Sequence, residues 1–164
     1  MKLIDLVNTK ALLPELESVK RDDVITEMVG KLVASKSIAA ADRDEIIAKI
    51  VDREKHGSTG FGKGVAVPHV KHKSVKKMVA TIGNSAKGVD FNALDKAPVY
   101  SIVLLASPED RPGEQVRADE HIQAMEIIFR NLQKDNFRRF LRQAATVEDM
   151  IDLIHEADTQ QIAG

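Results

Sequence analysis

A glycine-rich segment that leads into a histidine is the part of the sequence with the clearest chemical potential. The segment GSTGFGKGVAVPHVKH covers residues 57–72 and carries four glycines within eight residues. Glycines give the main chain unusual freedom and let a ligand approach it closely. A β-type run then stops at Pro68, so His69 is predicted at a strand end. An imidazole there is uncharged and nucleophilic near neutral pH, which suits a group acceptor.

A second histidine strengthens this interpretation. His121 is predicted at the start of a helix, with Asp119 as the cap. A helix N-terminus carries partial positive charge, which disfavours imidazolium and attracts phosphate. If the third predicted strand lies beside the first, the loop after Leu105 brings His121 toward His69.

A nucleotide-binding loop is one weaker alternative for the glycine-rich segment. Residues 57–63 match the pattern GxxxxGK[ST], but Gly64 stands where that pattern has a hydroxyl residue. The segment also follows a predicted helix and opens a strand, whereas a phosphate-binding loop follows a strand and opens a helix. A glycine-rich connection that holds no ligand is the remaining alternative.

A metal hydrolase is the other weaker alternative. Its ligands would be three imidazoles and one carboxylate, drawn from His69, His72, His121, Asp119 and Glu120. This spacing is not on a helix and matches no strong ligand signature. His72 is better predicted as an exposed loop residue, so we predict no metal site.

Composition limits the classes of function. The chain has 164 residues, a formal net charge of −1, 43% hydrophobic and 30% charged residues, and no cysteine. Thiolate chemistry and disulfides are therefore excluded, and no global field would gather nucleic acid. Since no apolar run reaches transmembrane length and no signal peptide is evident, the cytoplasm is the expected location. The length predicts one domain, residues 1–164, with a core of about residues 3–155.

Helices are predicted on both sides of a central block of strands. Residues 1–17 read as a strand-like opening and a turn. Helical spacing starts at Arg21, and a second helix follows an Asp42–Glu45 capping box and ends at His56–Gly57. After a proline-containing loop, three further helices have their apolar residues from Ile122 onward.

The strand signals lie between these helical regions. The predicted strands are residues 65–67, 78–82 and 100–105, with a short edge strand at 89–91. Residues 83–95 are otherwise rich in turn formers. The arrangement predicts an α/β fold: a three-layer α/β/α sandwich around a mixed β-sheet.

Several of these segments together resemble one protein family. REKHGSTGFGKGVAVPH resembles the phosphohistidine motif of the enzyme IIA component of the bacterial sugar phosphotransferase system, in its fructose–mannitol type and nitrogen-regulatory relatives. GVDF at 88–91, the strand VYSIVLLASPED and the helix EHIQAMEIIFRNL follow in the family's order. The resemblance extends over nearly the whole chain.

The resemblance implies specific roles. His69 would take a phosphoryl group from the phosphohistidine of an HPr-like carrier and pass it to a IIB component. His121 would orient that group, while Arg53, Ser58 and Thr59 would line its pocket. No metal or cofactor is implied, and contact with the membrane would be indirect, through the transporter.

Two functions share this site. One is a phosphoryl carrier for sugar transport, and the other is a nitrogen-regulatory module that binds target proteins according to its phosphorylation state. The lack of fused IIB or IIC segments slightly favours the second. The loop at 107–120 is longer than is usual in the family, and we interpret it as a solvated insertion. The alternatives are that it covers the site or that it contacts a partner.

Overall fold

The structure is a computed structural model that describes residues 1–159, 162 and 164. Its helices are α1 (Leu3–Leu6), α2 (Arg21–Ala34), α3 (Arg43–His56), α4 (Gln115–Leu132), α5 (Asp135–Gln143) and α6 (Val147–Asp158). Its strands are β1 (Gly60–Gly62), β2 (Val65–Ala66), β3 (His69–His72), β4 (Val79–Val89) and β5 (Val99–Pro108). Residues 160, 161 and 163 of the predicted 1–164 domain lie outside the described residues, and the single-domain assignment stays a prediction.

Strand β5 is the centre of a mixed sheet. β4 pairs with one edge of β5 in antiparallel fashion, and β2 and β3 pair with the other edge in parallel. Val65 pairs with Ser101 and His69 pairs with Leu105, so β2 and β3 keep the same register along β5. Because Pro68 has no amide proton, it interrupts what is otherwise one strand, and His69 begins the second half. The prediction that the third strand lies beside the first is confirmed.

Helices cover both faces of this sheet. Ile102 and Leu104 of β5 point toward α2 and α3, whereas the alternate residues Val103 and Leu105 point toward α1, α4, α5 and α6. Each face is an apolar cluster of its own, which explains why β5 is almost continuously hydrophobic. The predicted three-layer sandwich around a mixed sheet is confirmed.

Two predicted segments differ from the structure. The opening is not strand-like throughout, because Leu3–Leu6 forms a helical turn that buries Leu3 and Leu6, and only isolated bridges join Val7 and Leu13 to β4. The turn-rich assignment for residues 83–95 was wrong over its first half, since β4 extends to Val89.

Helix starts were also placed incorrectly. Asp42 makes no side-chain capping bond, and Glu45 turns instead toward β3, so the predicted capping box does not form. Helix α4 begins at Gln115, with Glu114 as its N-cap residue, rather than beside Asp119. The loop between β5 and α4 is therefore residues 109–114, shorter than predicted. Within the described part of the chain, no helix has the length and hydrophobicity needed to cross a membrane.

Candidate phosphoryl-transfer site

His69 stands at the first position of β3 and is only partly buried. Its Nδ1 lies 2.9 Å from the carbonyl oxygen of Val67. A carbonyl can only accept, so Nδ1 carries the proton and donates it. The neutral ring therefore keeps its lone pair on Nε2, which is the nitrogen available to attack a ligand. The Val67 carbonyl is therefore the main-chain partner that sets the tautomer of His69.

His121 faces His69 from helix α4. The two ring centroids lie 6.1 Å apart, so the sheet topology does bring the two predicted histidines together. His121 belongs to the second turn of α4, not to its first residues. Its Nδ1 lies 2.7 Å from the hydroxyl oxygen of Ser107, a buried residue at the end of β5. This contact fixes the orientation of the His121 ring.

The pKa of His121 is lowered from its ordinary value of 6.5. Burial is the main cause, electrostatic interactions with Lys71 and then with His69 lower the pKa further, and Asp110 opposes them. The direction agrees with the neutral imidazole that we predicted, but the reason differs. The partial charge of the helix N-terminus is not the cause, because its effect is confined to the first turn of α4 and His121 lies in the second turn.

His72 does not belong to this site. Side chains alternate along β3, so His72 lies on the opposite face of the sheet from His69, and it is 2% exposed. Its Nδ1 accepts from the Ser74 main-chain N–H, and its Nε2–H donates to Glu45 on α3 at 3.0 Å. The prediction of an exposed loop residue was wrong. The ligand set of the metal hydrolase is excluded as well, because the sheet separates His72 from the other two imidazoles.

The glycine-rich segment forms a β-hairpin. Gly62 pairs with Val65, and the two residues between them, Lys63 and Gly64, have φ angles of 60° and 75°. Positive φ at both positions is typical of a tight two-residue hairpin turn. A Cβ at Gly60 would lie 2.9 Å from that of Ala93, so only glycine fits there. No helix begins after this turn, which excludes the geometry of a nucleotide-binding loop.

The three predicted phosphate-lining residues lie in and beside the loop that follows α3. The Thr59 carbonyl accepts from Val67 N–H at 3.3 Å, which ties the loop to the segment that holds His69. The Ser58 hydroxyl donates to the Phe91 carbonyl at 2.6 Å. The exposed Arg53 guanidinium donates to the Gly57 carbonyl at 2.7 Å. These bonds shape the loop, and the role of its three residues in holding phosphate stays a prediction.

Two residues that shape the site, Glu54 and Ser107, were not predicted. Glu54, which is 3% exposed, accepts from both the main-chain N–H and the hydroxyl of Thr59 and so holds the loop. Ser107 orients His121. Lys71 of β3 forms an ion pair with Asp110 in the loop before α4, at 2.8 Å. The only sequence signal for Glu54 was its position near the end of a predicted helix. The only signal for Ser107 was its position after an apolar strand.

The comparisons with known proteins agree with this geometry. A family model described as "Phosphoenolpyruvate-dependent sugar phosphotransferase system, EIIA 2" matches residues 6–157. The PTS system fructose-specific EIIABC component of Bacillus subtilis is 30% identical over 158 residues, which cover 96% of this chain and 24% of that protein. The chain thus spans about a quarter of that relative's length.

Two further relatives are matched over most of their length. A nitrogen regulatory protein of Pseudomonas aeruginosa is 31% identical over 137 residues, which cover 84% of each chain. The crystal structure of the nitrogen regulatory protein IIA-Ntr from Neisseria meningitidis has a TM-score of 0.76 at 25% identity, covering 92% of this chain and 97% of that one. From the extent of the family match, the chain belongs to the EIIA 2 family of the phosphoenolpyruvate-dependent sugar phosphotransferase system.

Proposed function

We propose that this chain is a phosphoryl carrier that accepts phosphate on Nε2 of His69 from a phosphorylated HPr-like protein and passes it to a IIB component. The observation that carries the proposal is the hydrogen bond from Nδ1 of His69 to Val67, which leaves Nε2 with its lone pair. The neighbouring imidazole of His121 supports it. A cytoplasmic location is part of this proposal, because the donor and acceptor proteins must both reach the partly exposed ring.

Transfer to His69 exchanges one phosphorus–nitrogen bond for another. The Nε2 lone pair of His69 forms a bond to phosphorus while the phosphorus–nitrogen bond of the donor phosphohistidine breaks, and its electron pair returns to the donor imidazole. His69 keeps its Nδ1 proton and therefore becomes a phosphorylated imidazolium. The hydrogen bond to Val67 strengthens when its donor gains this charge. The carbonyl thus stabilises the phosphorylated ring, and no proton needs to leave it.

His121 would bind the phosphoryl oxygens. If the Ser107 hydroxyl donates to Nδ1 of His121, the ring proton lies on Nε2, which then donates toward the group on His69. A fixed donor of this kind stabilises charge in the transition state without reorganising. The lowered pKa of His121 keeps this ring neutral at pH 7, so it would act as a hydrogen-bond donor rather than as a cation.

Arg53, Ser58 and Thr59 complete the proposed pocket. The bond to Gly57 uses one of five guanidinium N–H groups, so Arg53 retains donors for phosphate oxygens. Little covalent help is needed from the protein, because phosphoryl transfer depends mainly on position and charge. The donor arrives as a phosphoramidate, and the proposal therefore includes no metal or cofactor.

The experiment is incubation with phosphoenolpyruvate, enzyme I and HPr, followed by mapping of the phosphorylated residue by mass spectrometry. We expect an acid-labile phosphate on His69 alone. Arg53→Ala should slow the labelling without changing the fold, while Arg43→Ala at the start of the same helix serves as the control for loss of an arginine. Acid-stable label, or label on another residue, would contradict the proposal.

A regulatory module is the second candidate. It is favoured by the similarity to nitrogen regulatory proteins along most of their length. In that role the chain would still be phosphorylated on His69, but the phosphate would control binding to a target protein. Mixing the phosphorylated chain with IIB proteins from the same organism separates the two roles. Rapid transfer to a IIB cysteine indicates transport, and retention of phosphate with all of them indicates regulation.

A further inference from the structure

We propose that Lys71 is a further ligand of the phosphoryl group on His69, and that Asp110 is the counter-ion that it leaves when His69 is phosphorylated. The inference rests on the proposed function, since it concerns the state in which His69 carries phosphate. It assigns a role to the loop at residues 109–114, which would be tied to β3 in one state and released in the other.

The strand register places Lys71 at the site. Side chains two residues apart on a strand share a face, so Lys71 lies on the same side of β3 as His69. Its pairing partner on β5 is Ser107, the residue whose hydroxyl contacts His121. Lys71 is thus next to both members of the histidine pair, on the face where the phosphoryl group would lie.

The electrostatic effect of Lys71 on His121 also indicates that its ammonium lies near the two histidines. Its ammonium is the charge that contributes most to the lowered pKa of His121. The described contacts of Arg53, by contrast, are with its own loop. The main-chain carbonyl of Lys71 accepts from Lys49 on α3 at 2.6 Å, which anchors its backbone while its long side chain stays free to turn.

Asp110 is a replaceable partner for this ammonium. The Lys71 and Asp110 side chains are 33% and 49% exposed, and an exposed ion pair of this kind is weakly held. A phosphoryl group brings close to two negative charges and three acceptor oxygens, whereas a carboxylate brings one charge. Lysine is a flexible point charge that can exchange one partner for the other by rotating its side chain.

The exchange would alter the surface that partners meet. The other polar contacts described for residues 109–114 are local, such as the Glu114 bonds to Arg117 and Arg111. The Lys71–Asp110 ion pair is therefore the described side-chain contact that joins this loop to β3. Its loss would leave the Asp110 carboxylate without its ammonium partner and loosen the loop. A partner protein could then distinguish the two states of His69 by charge and loop order.

Hydrogen–deuterium exchange of the full chain tests this inference, with and without phosphate on His69. The intact mass and the mapped site are measured first, because an unlabelled His69 would overturn the proposed function and this inference together. With His69 fully phosphorylated, we expect amide exchange in residues 109–114 to rise several-fold. Unchanged or slower exchange there would overturn the inference and leave the proposed function intact.

Variants test the Lys71–Asp110 ion pair itself. Asp110→Asn should show fast exchange at residues 109–114 before phosphorylation and no further rise after it. Lys71→Met should show the same fast exchange and also slower labelling of His69, while Lys71→Arg should restore both properties. Lys87→Met on β4 is the matched control for loss of an exposed lysine and should behave as the unmodified chain. Wild-type exchange in Asp110→Asn would overturn the inference.

Discussion

Two histidines of one strand, three residues apart, have opposite environments. His69 lies on the α4 side of the sheet, donates a hydrogen bond from Nδ1–H to the Val67 carbonyl and leaves Nε2 without a partner among its described contacts. His72 lies on the α3 side, where Nδ1 accepts from Ser74 and Nε2–H donates to Glu45. The two rings therefore carry their protons on different nitrogens. One has an unused lone pair beside a second imidazole, and the other has none.

The comparison shows that residue type alone does not mark a reactive histidine. A ring whose nitrogens are both engaged joins elements of the fold, as His72 joins β3 to α3. A ring with one nitrogen held by a carbonyl and the other facing solvent is prepared for nucleophilic attack. The alternation of side chains along β3 decides which of the two each histidine becomes.

The largest effect is expected at His69. His69→Ala should abolish labelling by phosphorylated HPr, because the ring nitrogen proposed to attack phosphorus is removed. Its partly exposed position predicts a nearly unchanged melting temperature, measured by circular dichroism. Labelling of this variant at the unmodified rate would show that the reactive group lies elsewhere.

The next largest effect is expected at His121. His121→Ala should slow phosphoryl transfer by about 10²-fold, the usual effect of removing one fixed donor to a transition state. Ser107→Ala leaves the ring in place but removes the contact that orients it, so about tenfold is expected. A time course of phosphorylation, with samples quenched at fixed times, gives both rates. Equal rates in all three proteins would mean that His121 does not touch the transferred group.

The opposite result is expected at His72. His72→Ala should keep its labelling rate but lose about 1–3 kcal/mol of unfolding free energy, because a buried ring and its hydrogen bonds disappear. Urea denaturation measures this loss. A stable His72→Ala protein that no longer accepts phosphate would reverse the roles that we assign to the two faces of β3.

A smaller effect concerns pH. Because the folded pKa of His121 lies below its ordinary value of 6.5, the unfolded chain binds this proton more readily than the folded chain. The contribution to stability is then complete above pH 6.5 and declines as the pH falls below it. An NMR titration should give a midpoint under 6.5 for His121, and Lys71→Met should raise it only in part, since burial remains. A midpoint at or above 6.5 would contradict this.

Sequence patterns predicted the elements whose burial follows a period. The helical spacing of α2 and the strand that became β5 were both predicted, and the structure confirms them. The pairing of His69 with His121 followed from one assumption about strand order, and it is confirmed too.

Elements stabilised by tertiary contacts were missed. The polar second half of β4 forms a strand because Asn84 donates to the Leu141 carbonyl and accepts from the Ser101 hydroxyl, partners that are distant in sequence. The first turns of α4 carry exposed side chains, so they have no apolar period and the helix start was placed too late. His72 was misjudged because its partner Glu45 lies on another element.

The most direct test of the account is to identify the nitrogen of His69 that carries the phosphoryl group. ¹⁵N-labelled protein, phosphorylated through enzyme I and HPr, gives one-bond ¹⁵N–³¹P couplings that distinguish the two ring nitrogens. The account predicts phosphate on Nε2 with the Nδ1 proton still bonded to Val67. Phosphate on Nδ1, or on any ring other than His69, would contradict it.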